Sequence, residues 1–175
     1  MKKTPPSRLP LLQIACALAM ACPAWAQSAD EGRADWKEDS VPPPPAYGTS
    51  QLIEIEMPRA SSVRMGLDPE TISISHDSGV VRYVVVARGP SAVNATYEGI
   101  RCATGEYRVY ARQVQGNDWV TNSDAEWKAM RGQSSVMVQH PYRLAREGMC
   151  LGTSVRPNVP EMVRELKSGN RSLYY

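Results

Sequence analysis

The middle of the chain shows the alternation of apolar and polar residues that is typical of β-strands. The alternation covers residues 51–57 and resumes over residues 71–75, and we expect the segment between them, residues 58–70, to be irregular. The run richest in β-branched residues covers residues 80–88, and another alternating run covers residues 106–112. Because short turns join these runs, the pattern predicts antiparallel strands.

The run at residues 80–88 and the return run at residues 93–102 form the predicted centre of the sheet. The odd positions of the first run are all apolar, whereas its even positions include Arg82. We therefore expect one face in the core and one partly solvated face. In the second run the apolar phase slips, and a β-bulge at Gly99 is expected to return the later residues to the core face.

After Trp119 the pattern changes to that of short helices. Residues 123–132, 141–147 and 160–167 are bounded by the capping residues and glycines that start and stop helices. Residues 136–138 form a short strand or an extended connection. Strands followed by helices predict an α+β fold, with an antiparallel sheet of about five strands and two or three C-terminal helices packed on one face.

The N-terminus has the three parts of a secretory signal. A basic flank precedes a short apolar core, and Ala24 and Ala26 form a small-x-small cleavage site, so we expect residues 1–26 to be removed on export. The apolar core is shorter than the roughly 20 residues that a membrane-spanning helix needs. The expected location is the periplasm, with a lipoprotein anchored at Cys22 as the alternative.

The segment after the signal is polar and proline-rich. We expect residues 27–49 to form a tether, since they offer little apolar surface to bury, and residues 50–175 to form a single domain. Trp36 is the exception within the tether. It is either a docking anchor for a partner or a residue that folds back on the domain, and the second alternative is favoured.

Export also changes the charge and the cysteine count. The net charge of +2 comes from the signal, because its three basic residues have no acidic counterpart there. No argument for a nucleic-acid partner remains. Two cysteines remain, and in an oxidising compartment we expect a Cys102–Cys150 disulfide, with two separate buried thiols as the alternative. The composition points to no metal site and no cofactor.

The candidate chemistry is sparse. His76 beside Asp77 is either a general base or, as favoured, a turn residue, and His140 is interpreted as a helix N-cap neighbour. The interesting residues are basic and lie on neighbouring strands, where they form either an anion-binding face or, as favoured, an ordinary solvated face. The candidate binding residues are Trp36, Arg82, Glu98, Arg101, Arg108, Tyr110 and Arg112.

The run Tyr97-Glu98-Gly99-Ile100-Arg101-Cys102 resembles a family of secreted proteobacterial proteins labelled CNP-like, after a cryptic neisserial protein. Weaker similarities are Trp36-Lys37-Glu38, Val81-Arg82-Tyr83, Trp119, Trp127 and Cys150. The segment before Cys150 departs from the aromatic run associated with that family. The resemblance implies an exported envelope domain of unassigned function, and it supplies no catalytic residues.

Two functions therefore remain. The first is a non-enzymatic envelope protein that binds an envelope protein or an anionic ligand through its sheet face or its N-terminal segment. The second is an envelope enzyme that acts on an anionic or cell-wall substrate with Glu98, Arg101 and either His76 or the tyrosines.

Overall fold

A computed structural model describes residues 35–56, 61–133, 135 and 139–169. The described residues from Trp36 onward belong to one compact unit. The predicted signal peptide, Cys22 and the segment at 136–138 lie outside the described residues. Within the described residues, no helix has the length and apolar character to cross a membrane.

The core of the fold is an antiparallel sheet, as predicted, but in the described residues it has seven strands, not about five. Its strands follow one another in the order of the chain from β1 to β6, and β7 pairs with β5. Their bounds are β1 Ile53–Ile55, β2 Arg64–Ser75, β3 Val80–Arg88, β4 Val93–Arg101, β5 Glu106–Val114, β6 Val120–Thr121 and β7 Lys128–Ala129. Strand order follows chain order because each long strand returns through a tight turn.

The expectation of an irregular segment at residues 58–70 is wrong from Arg64 onward, where β2 begins. Gly66 of β2 leaves space for Leu52, the residue before β1, because a β-carbon at position 66 would come within 2.7 Å of the Leu52 side chain. The register with β3 shifts between Asp68 and Ser73, so Pro69 lies in a bulge of the strand. Within the bulge, the Thr71 hydroxyl donates to the Asp68 carbonyl oxygen at 2.7 Å.

Both faces of β3 and β4 are buried, which corrects the expectation of a solvated face. Val81, Tyr83 and Ile100 belong to a large core on what we call the helix face. A second core, which contains Val84 and Tyr97, lies on the opposite side, which we call the arm face. Because both faces are covered, the phase slip in β4 needs no bulge at Gly99.

The bulge lies on β5 instead. Tyr97 pairs with Ala111 and Glu98 pairs with Val109, so Tyr110 is the extra residue. One extra residue in a strand moves every later side chain of that strand to the opposite face of the sheet.

The helix predicted at residues 123–132 is absent from the structure. The chain from Val120 to Ala129 instead pairs twice with β5, at Val120–Thr121 and again at Lys128–Ala129. Between the two strands, the Asn122 amide donates to the Tyr110 carbonyl oxygen at 2.7 Å. The open backbone groups of the β5 edge therefore outweigh the local capping signal.

The helices of the described region cover the helix face. Helix α1, His140–Leu144, continues into a π-helical turn, Ala145–Met149, and a small hairpin of β8 (Cys150–Leu151) and β9 (Ser154–Val155) leads to helix α2, Val159–Ser168. The Asn158 side chain accepts from the Glu161 amide at 2.8 Å, and Gly169 ends α2 with φ of 57°, as predicted. Gly148 lies inside the π turn, not beyond a helix end. Its missing side chain leaves space for Leu166 of α2, which a β-carbon at position 148 would overlap.

The predicted disulfide is present. Cys102 and Cys150 are bonded, with their Cα atoms 5.7 Å apart. The bond joins the end of β4 to the start of β8, directly after the π turn. It therefore links the sheet to the helical part of the chain.

The described part of the predicted tether packs on the domain. We call residues 36–49 the arm; they form neither helix nor strand, yet they cross the arm face. Trp36 folds back, with its indole nitrogen donating to the Ser78 carbonyl oxygen at 2.9 Å. At the other end, the Gly48 amide donates to the Asp68 carboxylate at 2.7 Å. The arm buries a face that would otherwise expose apolar and charged groups together.

Candidate functional site

The arginines of the sheet converge on one carboxylate, that of Glu38 in the arm. Arg82 on β3 and Arg108 on β5 both pair with Gly99 of β4, which lies between them. Arg82 Nη2 lies 2.9 Å from one oxygen of Glu38, and Arg108 Nη1 lies 3.1 Å from the other. The Tyr110 hydroxyl donates to the oxygen that Arg82 contacts. Three donors from two strands therefore hold a single acidic side chain of the arm.

This cluster is buried. The side chains of Arg82 and Glu38 are only 4% and 7% exposed. Burial lowers the pKa of Arg82, but its hydrogen bonds to Glu38 and Tyr110 outweigh that effect and raise it. Burial and the neighbouring Glu38 carboxylate also raise the pKa of Tyr110. Arg82 Nε and Arg108 Nε are buried without a hydrogen-bond partner in the described region, so the two guanidinium groups have more donors than Glu38 can accept.

Asp39 extends the cluster toward the β2–β3 turn. Its carboxylate accepts hydrogen bonds from the hydroxyls of Ser75 and Ser78, and it lies 3.2 Å from Arg82 Nη2. The two serine hydroxyls hold the pKa of Asp39 down at about 2. The side chain stays charged over the whole physiological range of pH.

Two side chains contact the Trp36 ring. The Arg101 guanidinium carbon lies 3.7 Å from the centre of the ring, within the range of a cation–π contact. Trp127 packs edge-on with Trp36, with ring centres 5.7 Å apart. Within four residues, the arm thus places one aromatic and two acidic groups on the sheet.

The structure brings together most of the predicted binding residues. Those that meet around the arm are Trp36, Arg82, Arg101, Arg108 and Tyr110. Arg112 does not join them. Beyond the bulge at Tyr110, Arg112 pairs with Thr96, so its side chain belongs to the helix face, and it is exposed. The partners missed from the sequence are Glu38 and Asp39; the signals for them were the weak family similarity at Trp36-Lys37-Glu38 and their position two and three residues after Trp36.

Glu98 lies on the helix face in a separate buried cluster. His140 Nε2 is 2.7 Å from its carboxylate, and the hydroxyls of Thr96 and Tyr83 donate to it at 2.8 and 3.2 Å. Burial acts to raise the pKa of Glu98, but the charge and hydrogen bond of His140 outweigh it, and the pKa is lowered. Burial and the Glu98 charge raise the pKa of Tyr83. His140 is therefore a buried partner of Glu98 as well as the first residue of α1.

The three residues considered for catalysis are not brought together. Glu98 is on the helix face, whereas Arg101 contacts Trp36 on the arm face. His76 is exposed in the turn between β2 and β3. Among the described residues, no group of three acidic, histidine or cysteine side chains is placed to hold a metal ion.

A depression of about 700 Å³ lies beside the disulfide. Apolar groups and the disulfide form much of its lining, together with two arginines and no acidic residue or histidine among the described lining residues. The Arg131 guanidinium lies 5.4 Å from the centre of the Tyr142 ring. The lining residues that bear on its chemistry are Cys102, Met130, Arg131, Tyr142, Arg146 and Cys150. Sequence reasoning did not find this site, because its parts come from the turn between β4 and β5, from β7, α1 and the π turn, and from the β8–β9 hairpin.

Comparison with known proteins gives the chain a family but no activity. No curated protein matches the sequence, and no solved structure matches it either. The CNP1-like family matches residues 31–167, which include the arm, the sheet and nearly all of α2. The chain therefore belongs to the CNP1-like family.

Proposed function

We propose that this chain is an exported cell-envelope protein that binds a ligand without transforming it. The observation that carries the proposal is the depression beside the disulfide, which is large enough for a small molecule or the end of a peptide. Its described lining residues offer contact surface and positive charge, and they include no pairing of a nucleophile with a base. That chemistry favours binding over catalysis.

The lining indicates the kind of ligand. Met130 and Ala145 offer apolar surface, while Arg131 and Arg146 offer guanidinium groups without a competing carboxylate in the described lining. An apolar group with one anionic end would match both features, because arginine binds carboxylate and phosphate through paired hydrogen bonds.

The location is part of the same proposal. The N-terminal residues have the pattern of an export signal, and the Cys102–Cys150 disulfide is the kind of bond that persists in an oxidising compartment. We place the protein in the periplasm, with a lipid anchor at Cys22 as the alternative. Cell fractionation and the mass of the mature N-terminus distinguish the two.

The ligand proposal is tested by calorimetry with decanoate and its neutral counterpart, decanol. We expect decanoate to bind more tightly than decanol. The double variant Arg131→Gln/Arg146→Gln should lose roughly tenfold or more in affinity for decanoate, since each charged hydrogen bond is worth about 1.5–3 kcal/mol. Arg88→Gln, an exposed arginine outside the depression, is the matched control. Equal binding of both compounds, or no effect of the double variant, would contradict the proposal.

A further inference from the structure

We propose that the arm is a transferable docking peptide, so that the arm face of one copy accepts the arm of a second copy of this chain. This inference concerns the opposite side of the sheet from the helices and does not depend on the ligand of the depression. It names a surface, the arm face, and one occupant, residues 36–47 of another copy.

The arm is attached as a bound peptide is attached. It contributes no strand to the sheet, and its described contacts are made chiefly by four side chains: Trp36, Glu38, Asp39 and Tyr47. Tyr47 bonds to Gln113 and packs edge-on against Trp119, with ring centres 5.9 Å apart. A few buried aromatic and charged anchors carry most of the affinity in peptide recognition. The proline run between these anchors is extended in advance, so it loses little entropy on docking.

The connection between arm and sheet is the weak part of this arrangement. Residues 48–51 are all exposed, and Leu52 alone separates them from β1. The Gly48 amide is held by Asp68 at 2.7 Å, but after it the contact of Arg88 with the Thr49 carbonyl oxygen is long, at 3.5 Å. A change of direction after Gly48 would redirect the arm without altering any of its four anchoring side-chain contacts.

A second copy of this chain is the proposed occupant because its arm has the same side chains that the arm face already binds. Every contact between the arm and its face joins two parts of the same sequence, so two copies can exchange arms and form the same contacts twice. The buried charges favour exchange over simple opening, because an open arm leaves Arg82 and Arg108 without the carboxylate of Glu38. At low protein concentration the arm of the same copy occupies the arm face, because its tether gives it a high effective concentration. Folding at high protein concentration favours exchange between copies.

A cysteine pair across the arm contact tests the exchange. The double variant Asp39→Cys/Ser78→Cys, in the full chain with Cys16 and Cys22 replaced by serine, keeps Trp36, Glu38 and both arginines. Asp39 and Ser78 are hydrogen-bonded, so a disulfide at these positions records which arm occupies which face. After refolding over a range of concentrations and oxidation, a non-reducing gel separates closed monomers from covalent dimers.

We expect monomers after refolding at low concentration and a growing share of covalent dimers as the concentration rises. The single variant Asp39→Cys is the control, because it reveals dimers formed by two arms linked directly to each other. Monomers alone at every concentration would overturn the proposal.

A second measurement does not depend on cysteine geometry. The full-chain variant Glu38→Lys has a damaged arm and an intact face, and a synthetic peptide of residues 35–49 is added to it. The peptide should raise the melting temperature of this variant and leave that of the wild type unchanged, since the wild-type face is already occupied. A matched peptide carrying lysine in place of Glu38 should have no effect. If Glu38→Lys folds and the peptide does not bind, the arm is not transferable; if it does not fold, the cysteine experiment decides.

Discussion

The ring of Tyr110 lies against the backbone of Gly99, so closely that a β-carbon on Gly99 would overlap the tyrosine hydroxyl and come within 2.9 Å of two ring carbons. The missing side chain at Gly99 leaves the space in which Tyr110 reaches Glu38, between Arg82 and Arg108. The bulge on β5 and the glycine on β4 therefore work together to create the arm face.

Gly99→Ala should displace Tyr110 and weaken the docking of the arm. We expect the free energy of unfolding to fall by about 1–3 kcal/mol, the usual cost of forcing an extra carbon into a packed site. Urea unfolding followed by tryptophan fluorescence measures the change. Gly89→Ala is the matched control: its β-carbon would meet only the Ala92 carbonyl oxygen at 3.6 Å, an ordinary contact. Equal effects of the two variants would show that Tyr110 does not need the space at Gly99.

Glu38→Gln should destabilise the protein far more than a surface change of the same chemistry. It leaves two largely buried guanidinium groups without their carboxylate, which typically costs about 3–5 kcal/mol. Glu54→Gln removes the carboxylate of an exposed ion pair with Arg64 and should cost less than about 1 kcal/mol. Chemical denaturation of both variants at neutral pH makes the comparison. A loss at Glu38 no greater than that at Glu54 would mean that the arm contributes little to stability.

Glu98 should make the protein sensitive to acid. Because its pKa is lower in the folded state than in the unfolded state, its ionised form stabilises the fold above its ordinary pKa of about 4.3. That contribution is lost as pH falls below this value and passes through the lower pKa of the folded state. In Glu98→Gln the slope of unfolding free energy against pH should therefore be smaller below about pH 4.5.

Urea unfolding at a series of pH values measures this slope. Glu126→Gln, at an exposed position, should keep the wild-type slope. Parallel curves for the wild type and Glu98→Gln would rule out the contribution of Glu98.

The disulfide should contribute strongly to stability. It closes a loop with a sequence separation of 48 residues, and the chain-entropy relation gives about 4 kcal/mol for a loop of that length. We expect a reducing agent to lower the melting temperature of the wild type. The double variant Cys102→Ser/Cys150→Ser should start from a lower melting temperature and show no further response to reductant. If reductant leaves the wild type unchanged, the bond does not hold the helical part to the sheet.

The disulfide and most of the long strands could be predicted because their signals are local or follow from few possibilities, whereas the first part of β2 and the short strands β6 and β7 were missed. The β-branched run at Val80–Arg88 has one compatible structure, and two remaining cysteines have one possible pairing. The last helix was predicted for the same reason, since Asn158 and Gly169 act within a single turn of it. In each case neighbouring residues decide the outcome.

The arm and the second buried face could not be predicted from local pattern. A proline-rich acidic segment is typical of a solvated tether, and the alternation in β3 does not say what covers its even positions. The contacts that decide the matter join Glu38 to residues 70 and 72 positions away. The false helix at residues 123–132 has a similar origin, because the open edge of β5 is invisible from the local sequence.

The same separation has a consequence for the order of assembly. The arm leaves the ribosome well before β5, yet two of the three groups that hold Glu38 belong to β5. The arm, which is synthesised first, can therefore dock only after most of the sheet has been synthesised. For the exported chain proposed above, this leaves an acidic, tryptophan-bearing segment undocked while the later strands are still being made.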